Sequence, residues 1–114
     1  MGISMAFGDQ VSPDGRFRIE FDWVQKRPHH WLRSPRIIDV DRGEVLLDLW
    51  GTHWDGAAAF VAPGILLLYL QPYPGVAPPL KLRLDLRERS VIPEQAPTER
   101  VPLADFFAGL LNRN

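Results

Sequence analysis

Residues 17–23, FRIEFDW, alternate strictly: Phe17, Ile19, Phe21 and Trp23 fall on one side, and Arg18, Glu20 and Asp22 on the other. A period of two suits an extended strand with one dry face and one wet face, because successive side chains of a strand point to opposite faces. Leu80, Leu82, Leu84 and Leu86, alternating with Lys81, Arg83, Asp85 and Arg87, repeat the pattern. Two such strands need a common apolar layer, so the chain is expected to be mainly β, with Trp23 in the core beside Phe17, Ile19 and Phe21.

Shorter apolar runs at 36–40, 45–50, 57–61 and 65–73 are each bounded by Gly, Pro or Asp and read as further strands. Turn residues separate them: Ser12, Pro13, Asp14 and Gly15 before the first strong strand, Asp41, Arg42, Gly43 and Glu44 next, then Ala62, Pro63 and Gly64. Connections this short make neighbouring strands antiparallel. The expected fold is an antiparallel meander of about six or seven strands, as a small sandwich or a partly closed barrel.

The run at 65–70 has no polar face, which places it centrally with an apolar cover on its second side. Leu103, Phe106, Phe107, Leu110 and Leu111 share one helical stripe, so a short C-terminal helix over 102–112 is expected to pack on the sheet as that cover. Pro102 suits the first turn, Asp105 the positive end of the helix dipole and Arg113 the negative end. Residues 88–101, rich in Pro and charge, read as the linker that lets the chain return. The whole, residues 1–114, reads as one domain.

Composition narrows the function classes. Without cysteine, disulfides, thiol catalysis and Cys-ligated metals are excluded. A net charge of -1 gives no global attraction to nucleic acid or anionic lipid, so neither nucleic acid nor membrane is expected as a partner. The N-terminal stretch lacks the pattern of a signal peptide and no apolar run is long enough to cross a bilayer, so a cytoplasmic location is expected. Arg outnumbers Lys eleven to two, a bias typical of GC-rich bacterial genomes.

The stretches SPDGRFRIEF and PRIIDVDRGEVLLDLWG resemble hairpins of β-propeller blades, although no blade-length repeat follows. As a whole, in length, composition and the WGTHWDG stretch, the chain is similar to small cysteine-free bacterial all-β proteins of uncharacterised function. That resemblance implies a β-rich fold and carries no catalytic pattern.

Two stretches stand out. QKRPHHWLRSPR, residues 25–36, holds Lys26, Arg27, Arg33 and Arg36 with no acid from 23 to 38. Its cations can hold an anionic group, Trp31 offers a stacking face, and His29 and His30 add pH-dependent donors. The plainer reading is a solvated loop of roughly ten residues between strands. WGTHWDG, residues 50–56, brings Trp50, His53, Trp54 and Asp55, and its indoles suit apolar contact.

His29, His30, His53 and Asp55 are sound metal ligands in kind, but no His-x-His or His-Glu-x-x-His spacing is present, and no metal or cofactor is expected. Ser34 near His30, and Thr52 beside His53, lack a nucleophile elbow, so no catalytic residue is assigned. The leading expectation is a nonenzymatic module that binds a small ligand or a protein through 25–36 and 50–56, using His29, His30, Trp31, Arg33, Arg36, His53, Trp54 and Asp55. The alternatives are a small enzyme using histidine acid-base or metal chemistry, and a structural protein that forms a homodimer through a sheet edge or face.

Overall fold

The computed structural model, which describes residues 5, 6, 8–74 and 78–112, contains two antiparallel sheets and one helix. β1 (Gln10–Val11), β2 (Phe17–Arg27), β3 (His30–Asp39) and β4 (Glu44–Asp48) form the first sheet in chain order. β5 (Trp54–Ala62), β6 (Ile65–Pro72), β7 (Leu80–Asp85), β8 (Ser90–Pro93) and β9 (Val101–Pro102) form the second, again in chain order, and α1 (Leu103–Leu111) closes the described chain. Among the described residues no helix is long and apolar enough to cross a membrane.

The alternating segments build the core as their period requires. β2 turns Phe17, Ile19 and Phe21 inward, and its register sets Ile37 opposite Ile19 and Pro35 opposite Phe21. The second sheet answers with Leu66, Leu68 and Leu70 from β6 and with Leu82 and Leu84 from β7, all within one buried cluster that spans both sheets. Each such side chain contributes about 1.5–3 kcal/mol when fully buried. The turns fall where the sequence put them: Gly15 and Gly43 take left-handed backbone, with φ of 78° and 61°, which costs glycine nothing sterically.

Several expectations need correction. Among the described residues the strands number nine rather than six or seven, and two of them, β1 and β9, are two residues long and so carry no periodicity. Residues 88–101 are not a plain linker, since β8 lies there and β9 starts at its end. The helix does not cover β6. It packs against β4, β8 and β9, with Leu103, Phe107 and Leu110 buried, Phe106 half-buried and Leu111 exposed. Ile65, Leu67 and Tyr69 of β6 therefore remain half-buried on their outer side. Asp105 does lie in the first turn of α1, whereas Arg113 lies outside the described residues.

The largest departure concerns the stretch expected as a loop. Residues 25–36 are strand, turn and strand: β2 and β3 run on as a hairpin and reverse at Pro28 and His29. His29 has φ of 63°, as the residue after proline needs in a type II turn. Trp23 is not in the core but 49% exposed. The reason is the length of its neighbours, because β1 pairs with β2 only at Arg18 and Ile19, and β4 pairs with β3 only from Arg36 onward. Beyond Phe21 the first sheet narrows, among the described residues, to two strands, and on the face that carries Trp23 the apolar layer ends there, while Leu32 on the opposite face stays buried.

One buried acid ties the two sheets together. Asp39, at the end of β3, is fully covered and accepts hydrogen bonds from Arg16 Nη2 at 3.2 Å and Arg89 Nη2 at 2.8 Å. Arg89, in the turn between β7 and β8, also donates to the Leu86 carbonyl and reaches Glu44 at 3.4 Å. Burial by itself would raise the Asp39 pKa, but the Arg16 and Arg89 guanidinium groups outweigh it and hold the carboxyl down at about 2.

Candidate functional site

Residues 23–31 are all exposed, although they are regular hairpin rather than coil. β2 and β3 hold Trp23 opposite Arg33 and Gln25 opposite Trp31. Trp23 and Trp31 are thus diagonal neighbours on one face, where cross-strand aromatic pairs contribute about 0.2–1 kcal/mol. Their ring centroids are 6.3 Å apart at 57°, and the Arg33 guanidinium lies 5.7 Å from the Trp23 ring. Lys26 interrupts the register between Gln25 and Arg27 as a bulge, which increases the local twist. The result is a hairpin arm whose exposed residues include two indoles, Lys26, Arg27, His29 and His30.

The base of the arm is fixed by the second stretch. Asp55 Oδ1 accepts the Arg33 backbone N–H at 2.8 Å, and its other oxygen pairs with Arg33 Nη2 at 3.3 Å. The same carboxylate therefore caps a free N–H on the β3 edge and neutralises the adjacent guanidinium. Ser34 Oγ donates to the Trp54 carbonyl at 2.7 Å in a buried bond. Above them the His30 ring lies 4.7 Å from the Tyr73 ring, and the Tyr73 N–H donates to the His53 carbonyl at 2.7 Å. Residues 25–36 and 50–56 thus meet along β3 and β5.

Not every residue singled out from the sequence remains available to a ligand. Trp54 is 4% exposed, with its indole N–H donating to the Leu110 carbonyl at 3.3 Å, so it anchors α1 to the core. Arg36 pairs with Asp48 at 3.1 Å and lies 3.5 Å from the centre of the Trp50 ring. Its buried Nε has no acceptor among the described residues, because the indole covers it. Trp50 in turn donates to the Glu20 carbonyl at 3.2 Å. His53 is exposed beside Gly51, Thr52 and Leu111. Among the described residues no three His, Asp or Glu side chains gather where they could hold a metal ion.

A cleft of about 270 Å³ lies next to the Arg33–Asp55 pair, lined also by Tyr69, Gln71 and Pro79. It is below the usual size of small-molecule sites, roughly 300–1,000 Å³, and its two charged groups already satisfy each other. By contrast, Lys26 and Arg27 have no ion-pair partner among the described residues.

Sequence reasoning missed Trp23, which it assigned to the core. The shortness of β1 and β4 relative to β2 was the available signal, but strand lengths of two and five residues leave little pattern to read. Comparison with protein-family models, with curated proteins and with solved structures finds no match for this chain.

Proposed function

We propose that this protein is a nonenzymatic protein-binding module and that the arm over residues 22–31 is its recognition element. One observation carries the reading: nine consecutive residues, 23–31, are exposed on a regular hairpin, with indoles at positions 23 and 31 exposed by 49% and 42%. Exposed aromatic pairs are unfavourable in water and common at the centres of protein interfaces. Trp23 and Trp31 supply apolar contact, Lys26 and Arg27 supply charge, and His29 and His30 add donors at the tip. Arg33 and Asp55 keep the arm upright, and Arg36 and Trp54 support the sheet beneath it.

A partner suited to this surface is an extended, acidic protein segment with an aromatic or aliphatic side chain for the indoles. A long polyanion fits less well, because the whole chain carries a net charge of -1 and repels charge away from the arm. A small molecule fits the arm less well because the cleft at its base, beside Arg33, is small and internally paired.

The test is titration with a short acidic peptide bearing one phenylalanine, read by tryptophan fluorescence. A saturable shift is expected, weakened at least about tenfold by Trp31→Ala and by the double change Lys26→Glu and Arg27→Glu, and weakened by salt. A response equal in wild type and both variants would overturn the reading.

A further inference from the structure

The backbone at the outer margin of the arm has a specific polarity. Phe17 accepts the Ser12 N–H through its carbonyl, and the Phe21 N–H donates to Asp9 Oδ1 at 2.8 Å. The odd residues of β2 therefore direct their N–H and C=O groups away from β3, and the period of two carries that direction on to Trp23 and Gln25. β1 has ended by then, and among the described residues nothing pairs with the outward backbone of Trp23 and Gln25. Other margins are short or partly occupied among the described residues: β1 and β9 span two residues each, Ala6 and the Gln10 side chain both bond Ala58 in the middle of β5, Asp55 caps β3 at Arg33, and α1 lies against β4.

An open pair of residues of this kind is a template for one more strand. The sequence of β2 itself suits the place, since it carries acids before Trp23 (Glu20 and Asp22) and cations after it (Lys26 and Arg27). Antiparallel pairing of such a strand with its own copy sets unlike charges opposite each other. With the two-fold axis at Val24, Trp23 faces the partner's Gln25, each donating and accepting, and Asp22 comes level with the partner's Lys26, whose long side chain can reach it from the bulge. This register uses only backbone groups for which the described residues offer no partner. Moving the axis to Trp23 would need the Phe21 N–H that Asp9 already holds, and moving it outward would run into the Lys26 bulge.

We infer that the open edge of β2 is a self-association seam, in which two copies join antiparallel about Val24 with Asp22 against the partner's Lys26. The inference rests on the arm being an interaction element, and it names the β2 strand of a second copy of this chain, with its acids Glu20 and Asp22 ahead of Trp23, as an extended segment that the arm accepts. The joined first sheets form one continuous sheet across the two-fold axis, and the interface is isologous.

The chain has no cysteine, so a single introduced thiol reports geometry cleanly. Across the axis the two Val24 residues form a non-hydrogen-bonded pair, with Cα atoms about 4.5 Å apart, within disulfide range. Val24→Cys is expected to cross-link at least about tenfold faster than Val61→Cys, a position of nearly equal exposure, 38% against 37%. Asp22→Lys and Lys26→Asp are each expected to sediment as the 13.0 kDa chain, whereas an equimolar mixture of the two recovers the doubled mass that wild type reaches on concentration. Equal cross-linking at the two positions, or a mixture that stays monomeric, overturns the seam. A monomeric wild type that still binds the acidic peptide also overturns the seam but leaves the arm's binding role standing.

Discussion

Asp39 shows how much a single side chain carries here. Its carboxylate is the common partner of Arg16 and Arg89, which stand in connections of different sheets, and both arginines also lie over the Phe17 ring, at 4.9 and 6.0 Å. Asp39→Asn would keep the shape and remove the charge, leaving two guanidinium groups facing each other. Because those groups are about a quarter exposed, the loss is expected at about 2–3 kcal/mol, below the range for a fully buried pair. The folded pKa of about 2 is below the usual carboxylate value of 3.8, so the ionised form is bound more tightly in the folded chain. This stabilisation is present above pH 4 and is lost as pH falls from there through 2. Thermal melts over that interval should show a steep decline for wild type and a flatter one for Asp39→Asn. None of this was legible in the sequence, because Arg16 and Arg89 lie 23 and 50 residues from Asp39. Gly56 is a second hidden constraint: an added Cβ would lie 3.1 Å from Leu70 Cδ2 and 3.3 Å from Pro35 Cγ. Gly56→Ala is therefore expected to lower stability by about 1–2 kcal/mol in urea unfolding.

At the scale of elements, the two strongest strands were legible because a period of two reports which side chains share a face. It does not report where the opposite layer stops. The alternation in β2 continues without a break from Phe21 to Trp23, yet one is in the core and the other is past its limit. The same blindness made the arm look like a loop, since its cations and prolines obscure a hairpin that the β2–β3 register makes plain. The contrast between two tryptophans measures the boundary. Trp54→Ala removes a buried ring and its bond to α1, at an expected cost of about 3–5 kcal/mol, while Trp23→Ala is expected to cost about 1 kcal/mol or less. Denaturant midpoints of the two variants check this. Similar losses for both would mean that the core extends into the arm. The helix was legible from its stripe, but its seat was not, because an apolar stripe does not name the surface it covers.

The molecule as a whole is a two-sheet body with one arm, and the arm is exposed because the strands beside it are short. Burial falls along β2 in the same direction, so the local cost of opening should fall from Phe17 toward Arg27. Within that gradient the decisive groups are two backbone amides, Trp23 and Gln25, whose orientation follows from the Asp9 bond to Phe21. Residue-resolved hydrogen exchange on a dilute sample tests the account most directly. The Trp23 and Gln25 amides should exchange at nearly free-peptide rates while Val24, bonded toward Leu32 in β3, is slower, and both should become protected when the sample is concentrated or the acidic peptide is added. Protection of Trp23 and Gln25 equal to that of Ile19 in the dilute sample would mean that the edge is already closed, and would contradict the account.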